Sequence, residues 1–280
     1  MNPFSKRDHT GSIGFVCSNG HIDTHDPWMR EVFRGLTSGF AKHSRNLLLH
    51  DSVLGQSAYD ALVRILENKV DGLILMPGRE DRRLVEIVKD SAIPALTLFD
   101  PLEDLPMVCA DDASGSAQIA MHLWVTGHRH ILYRRSARRF RHEQVRYTAF
   151  YEVIRNLGGE VTPAEAFDDL DSVSDYEQSL LFNLKSQEIT AIACWRDYSA
   201  MRVLNFCTAN RLSVPSDIAV SGFDGLPNLP IPEGLHLTTV DPQWRALARL
   251  STDVIEAIIA GDSYSHRTTL PVTLIEGNTA

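Results

Sequence analysis

The chain has 280 residues, 44% hydrophobic and 22% charged, with a formal net charge of -9 at pH 7. That length and apolar content supply a large core, in one big domain or two smaller ones, and the acidic balance argues against a chain that grips nucleic acid by itself, because that grip is largely phosphate neutralisation by Lys and Arg. No run of eighteen or more apolar residues is present to span a membrane as a helix, and Met1–Ser12 is too polar for a signal peptide, a cleaved one aside.

Met1–Thr10 carries Lys6, Arg7, Asp8 and His9 without apolar periodicity and reads as a solvated leader. From Ile13 onward short apolar runs alternate with amphipathic segments, the pattern of βα units and a parallel sheet. Strands are expected at Ile13–Cys17, Asn46–His50, Gly72–Met76, Pro94–Phe99 and Met107–Ala110, with helices over Trp28–His43, Gln56–Asn68 and Asp81–Asp90 between them. Asp111–Asp112 opens a further helix that runs to Thr126, where Gly127 is a natural C-cap.

A second set follows. Strands are expected at His130–Arg134, Gly159–Ala166 and Thr190–Trp195, and helices at Glu143–Leu157, Asp175–Lys185 and Tyr198–Asn210. The set ends in Ile218–Asp224, an apolar run closed by Gly222, Phe223 and Asp224, which places Asp224 at the carboxyl end of a buried strand, where open α/β sheets bind ligands. A long helix over Gln243–Ala260 and a strand at Leu270–Ile275 complete the chain. Cys17, Cys109, Cys194 and Cys207 form no Cys-x-x-Cys pair, and three lie in strand-like runs, the usage of a reduced, cytoplasmic protein with buried thiols.

Asp224 is followed by Gly225-Leu226-Pro227, then by Leu237-Thr238-Thr239-Val240-Asp241-Pro242, and near the end by Leu270-Pro271-Val272-Thr273-Leu274-Ile275. This order resembles the close of the effector-binding domain in the lac-repressor family of bacterial transcription regulators, where "VxGFDD", "LTTV" and "LPxxLV" recur; Gly225 stands in place of the second aspartate. The resemblance implies an α/β fold of two Rossmann-like parallel-sheet lobes joined by a three-crossing hinge, as in type I periplasmic binding proteins. Residues 1–11 would be a linker remnant, 12–126 with 241–262 the amino-terminal lobe, and 127–240 with 263–280 the carboxyl-terminal lobe. Ser5–Phe15 matches the end of the family linker, so the helix-turn-helix that reads operator DNA would be absent from this chain. The family also implies a homodimer, with Trp28–His43 one contributor to its face.

The same resemblance puts effector contacts at strand ends facing one cleft. Asp26-Pro27-Trp28 sits where the family has "NPF", whose aromatic stacks on a sugar or base. Asp111 lies at a crossing, Arg146 matches the arginine of "RxxGF" with Ala149 in place of the glycine, and Asp197 matches the aspartate of "ANDxxAxG" with Arg196 in place of the asparagine. Leu170 stands where several members carry a ligand-covering aromatic. Carboxylates and arginines suit sugars, because vicinal hydroxyls donate to one and accept from the other while an aromatic covers the C–H face. The plainer readings are that Asp197 is a helix N-cap and that Trp28 is a core or dimer-face residue.

Arg134, Arg135, Arg138, Arg139, Arg141 and Arg146 place six arginines in thirteen residues of an acidic chain. Arg is suited to bidentate recognition of carboxylate or phosphate, so Arg135, with Arg196 adding charge, points to an anionic or partly anionic effector such as a sugar acid or sugar phosphate. A solvated loop, or pairing with Asp and Glu across a dimer, explains the same residues. His128 and His130 are too few to hold a metal, and Glu103-Asp104 reads as a solvated turn. No hydrolase, zinc-protease or phosphate-loop motif appears, so neither a catalytic set, a metal nor a cofactor is expected. The expected function is that of an effector-binding and dimerisation domain; the rivals are a periplasmic sugar-binding protein of a transporter and a sugar-modifying enzyme.

Overall fold

The computed structural model describes residues 10–17, 26–49, 58–67, 70–77, 82–136, 140–166 and 188–280. In chain order the first elements are β1 (Ser12–Cys17), α1 (Pro27–Lys42), β2 (Asn46–Leu49), α2 (Ala58–Glu67), β3 (Gly72–Met76), α3 (Arg82–Ser91), β4 (Ala95–Leu98) and β5 (Met107–Ala110). Then come α4 (Asp112–Val125), β6 (His130–Ser136), α5 (Arg141–Asn156), β7 (Glu160–Ala166), β8 (Ala191–Cys194), α6 (Asp197–Ala209) and β9 (Ala219–Ser221). The chain closes with β10 (Thr239–Asp241), α7 (Trp244–Ala260), β11 (Arg267–Leu270) and β12 (Thr273–Ile275). The helix expected at Asp175–Lys185, the loop around Leu170, and Arg138 and Arg139 lie outside the described residues.

Two compact units result, Met1–Ala110 with Gln243–Leu270 and Asp111–Pro242 with Pro271–Ala280, so the chain passes between them three times. The first unit carries a six-stranded parallel sheet in the order β11-β5-β4-β3-β1-β2. Val16, Leu73 and Leu75 of its strands pack against Leu62 and Ile65 of α2 and Val85 and Val88 of α3. Its α1 and α7 meet through small residues. A Cβ on Gly35 would land on the Arg245 carbonyl and 2.7 Å from the Ala248 methyl, and one on Gly39 would land on the Thr252 side chain. The four-residue spacing of the glycines matches that of Ala248 and Thr252, so one glycine stripe seats one small-residue stripe.

The second unit has a four-stranded parallel sheet, β7-β6-β8-β9, and a two-stranded antiparallel pair, β10-β12. Strand alternation divides its core: Ile131 and Tyr133 face the side of α4 and α5, and Leu132 faces the side of α6. The final residues are stitched beside β9. The Thr279 hydroxyl donates to the Val220 carbonyl at 2.7 Å, and the Thr238 N–H donates to that hydroxyl at 2.9 Å.

Two expected assignments need correction. Helix α4 belongs to the second unit, not the first, because Ile119, Ala120 and Leu123 pack with Phe150 and Ile154 of α5, and Gly115 admits the Phe223 ring and Val272. The boundary therefore falls at Asp111 rather than Gly127. The closing strand is two strands divided at Pro271: β11 extends the first unit's sheet beside β5, and β12 pairs with β10 in the second.

Candidate ligand-binding site

At the carboxyl end of the second unit's sheet, one arginine ties three segments together. Helix α5 turns Glu143, Arg146, Phe150 and Ile154 inward, the three- and four-residue spacing of one helix face. Arg146, 3% exposed, donates from Nε to Asp112 Oδ1 at 2.7 Å, and from one terminal nitrogen to the Trp195 carbonyl at 2.9 Å and to Asp224 Oδ1 at 3.3 Å. Its guanidinium also lies 3.6 Å from the centre of the Phe223 ring. Burial by itself lowers the guanidinium pKa, but Asp112 and Asp224 outweigh it and hold the pKa above its ordinary value.

Asp224 follows β9 with φ 137° and is buried. Asp197, the first residue of α6, is fully buried; its carboxylate accepts from the Thr239 hydroxyl at 2.5 Å and from the Leu226 N–H at 2.8 Å. A Cβ at Gly222 would collide with Asp197 Oδ1, so the glycine is required for this approach. Burial pushes both carboxyl groups above the usual range; repulsion from Asp224 raises Asp197 further, while Arg146 pulls both down. The buried Tyr133 hydroxyl is raised by its burial.

Around this centre lie rings and a second arginine. Phe140 stacks on His142 with centroids 5.3 Å apart and planes at 13°, and on Trp195 at 5.8 Å and 28°. The Arg196 guanidinium sits 4.6 Å from the Trp195 ring centre and 5.8 Å from that of Tyr198. Arg135 is held by Glu143, which is 0% exposed, through a two-pronged pair at 2.8 and 3.0 Å, and it lies over the Tyr147 ring. The pair raises the Arg135 pKa: the hydrogen bond to Glu143 exceeds the opposing desolvation.

The first unit has its own group at the carboxyl end of its sheet. Asp26 caps α1, its side chain accepting from the Trp28 N–H at 3.3 Å. The Trp28 ring meets Phe99, just after β4, at 5.9 Å and Trp244, the first residue of α7, at 5.6 Å; Phe99 and Trp244 are 5.2 Å apart and nearly perpendicular. All three rings are half-buried, an arrangement able to cover the C–H face of a sugar or the plane of a base.

The model of the periplasmic binding protein-like domain matches residues 120–280. The chain belongs to this family. Within it the lac-repressor resemblance read from the closing motifs holds. The HTH-type transcriptional repressor CytR of Escherichia coli K12 is 25% identical over 216 residues, 73% of this chain and 61% of CytR, so the chain spans less than two thirds of that relative's length. Among solved structures, the probable maltose operon repressor MalR of Staphylococcus aureus superposes with a TM-score of 0.86 at 17% identity, covering 98% of this chain and 99% of that one. A periplasmic binding protein/LacI transcriptional regulator of Alkaliphilus metalliredigens, complexed with D-xylulofuranose, gives 0.78 at 18% identity, covering 96% and 99%. At such identities the two structures speak for the fold, which is the expected periplasmic-binding-protein-like one.

In this periplasmic-binding-protein-like chain the residues singled out in the sequence fall into two groups. Arg146, Asp197, Asp224, Arg196 and Arg135 surround one end of the second unit, and Asp26 and Trp28 lie on the first. Asp111 stands apart: its side chain caps α4 by accepting the Ser114 N–H at 3.0 Å, and its neighbour Asp112 makes the ion pair with Arg146. Asp197 is not an N-cap, since Arg196 holds that position and the Asp197 carboxylate faces inward. Asp112, Glu143, Phe99, Trp244, Phe140 and His142 were missed. The doublet Asp111-Asp112 offered the first of these, but only the helix phase chooses between its members.

Proposed function

We propose that this chain is the effector-binding and dimerisation part of a lac-repressor-type transcription regulator, taking a small sugar-like ligand and controlling operator binding by a helix-turn-helix segment outside this sequence. The observation that carries the reading is the buried Arg146–Asp224 pair at the carboxyl end of a parallel sheet, in a chain related to HTH-type repressors. Asp224 and Arg196 on the second unit, and Trp28 with Asp26 on the first, are the groups assigned to ligand. Arg146 and Asp197 hold Asp224 and its loop, Arg135 supports the same face through Glu143, and Asp111 fixes α4. Arg135 is matched by Glu143; Arg196, set against the Trp195 ring, is the residue assigned to any preference for a sugar acid or sugar phosphate.

The working protein is a cytoplasmic homodimer without catalytic activity. Among the described residues no helix is long and apolar enough to cross a membrane, and repressor relatives favour this reading over a transporter's sugar-binding protein. The test is a thermal-shift screen against neutral sugars, sugar acids, sugar phosphates and nucleobases, since a ligand that prefers the native state raises the melting temperature. A sugar-class hit lost in Arg196→Glu and Asp224→Asn supports the assignment. No hit in any class, or turnover of a bound compound, overturns it.

A further inference from the structure

A separate polar network lies at the other end of the first unit's sheet. Asp71, just before β3 and with its side chain 4% exposed, accepts from the Thr10 N–H at 2.8 Å, the Thr10 hydroxyl at 3.0 Å and the Gly11 N–H at 2.9 Å. Arg45 donates to the same carboxylate at 2.5 Å, and turns its Nε and other terminal nitrogen to the two oxygens of Glu256 at 3.0 and 3.1 Å. The Gly11 carbonyl accepts the Asn46 N–H at 2.7 Å, and Gly11 has φ 70°, so the chain bends there and its polar groups are held on both sides. Burial alone would raise the Asp71 pKa; the Thr10 and Gly11 donors and Arg45 keep it lowered, so the carboxylate stays charged.

The network is attached to both helices of the α1–α7 pair. The Arg45 N–H donates to the Phe40 carbonyl in the last turn of α1, and Glu256 is part of α7. At the opposite ends of these helices stand Trp28 and Trp244, two of the three rings of the first unit's aromatic group. Glu256 lies twelve residues beyond Trp244, about 18 Å along one helix. Because the helices meet through glycines with no slack, α7 cannot be displaced without also moving Glu256 against Arg45.

We propose that Asp71, Arg45 and Glu256 form a latch holding the amino-terminal segment at Thr10–Gly11 on the first unit, with its grip set by the position of α7. Arg45 is the positioning residue: its fork shares one cation between the carboxylate that holds the segment and the carboxylate that reports α7. A two-pronged Arg–carboxylate pair depends on geometry, so a small shift of α7 turns the guanidinium and weakens the Asp71 end. The regulatory use of the latch rests on the effector-binding reading; the latch itself does not.

The experiment is amide hydrogen exchange at Thr10 and Gly11, measured on the whole chain together with its melting temperature. Asp71→Asn should speed exchange at both amides most. Glu256→Gln, which touches neither amide, should speed it roughly fivefold to tenfold, the scale of one weakened charged hydrogen bond, while Val254 and Ile255 keep their protection. Arg45→Lys, which keeps the charge and loses the fork, should fall between them and serves alone if Glu256→Gln fails to fold. Wild-type exchange at Thr10 and Gly11 in Glu256→Gln or Arg45→Lys overturns the relay, and acceleration spread evenly over α1 and α7 assigns the network to general stability. A blank ligand screen leaves this result untouched.

Discussion

Replacing Arg146 by Met keeps most of the stem's packing and deletes the cation. Three hydrogen bonds go with it, to Asp112, Asp224 and the Trp195 carbonyl, together with the contact on the Phe223 ring. Asp112 and Asp224 then remain buried without the Arg146 cation, and breaking a buried pair in this way costs about 3–5 kcal/mol. For a unit of this size, that is a fall of roughly 10–15 °C in melting temperature. The assay is urea unfolding followed by far-UV circular dichroism at pH 7. The loss should shrink at pH 5, because Asp224, already raised by burial and now without Arg146, takes up a proton. Arg146→Met combined with Asp112→Asn and Asp224→Asn should recover part of the stability, since no buried charge is left exposed to the deletion. A loss under about 1 kcal/mol, the scale of a surface pair, would refute the reasoning.

Asp197→Asn should flatten the pH dependence of stability: a carboxyl whose folded pKa is raised contributes stability fully below about pH 4 and loses it as pH rises through the folded pKa. Urea midpoints from pH 4 to 8 should therefore fall less steeply in the variant than in the parent. Gly39→Ala should cost roughly 1–3 kcal/mol by overpacking the α1–α7 contact, and a melt that does not move would sink the close-approach argument. Arg135→Gln should cost about 3–5 kcal/mol by stranding the buried Glu143; Arg135→Gln with Glu143→Gln should restore much of it, and failure to do so in a double-mutant cycle would deny the pair its role.

Legibility followed the range of the forces involved. Apolar runs and helix faces are local, and the strands at Gly72–Met76 and Met107–Ala110 fall where the pattern puts them. What failed was pairing over long separations. Whether α4 packs on α3 or on α5 is decided by Gly115 admitting Phe223 and Val272, contacts separated by more than a hundred residues. Leu270–Ile275 reads as one apolar strand, yet Pro271 cannot donate to a ladder, and the two sides join different sheets. In the site, residue types were legible and partners were not. Arg135 reads as an anion receptor because of its arginine-rich surroundings, and Glu143, which occupies it, reads only as a helix residue. Likewise the sequence motif at Leu237–Asp241 contains the reason for Asp197's burial, because Thr239 supplies one of its two hydrogen bonds.

The second unit's polar centre has a charge balance that couples its parts. Asp112 and Asp224 pair with Arg146, Asp197 lies close by, and desolvation opposes ionising Asp197 and Asp224. Asp197 is satisfied by donors from a hydroxyl and one backbone N–H, and therefore keeps its place whether or not it holds a proton. Asp224 meets Arg146 through Oδ1, at the longer of that arginine's two carboxylate distances. A ligand hydroxyl donating to Asp224 would favour its ionised form and draw the guanidinium further toward it, and the cost of ionising Asp224 would fall on Asp197 through their repulsion. Binding should then raise the Asp197 pKa further, so a ligand found by the screen should bind with a proton balance that changes in Asp197→Asn. Calorimetry of the same ligand in two buffers of different ionisation enthalpy reads that balance; identical proton counts in parent and variant would show that the two carboxyl groups titrate independently.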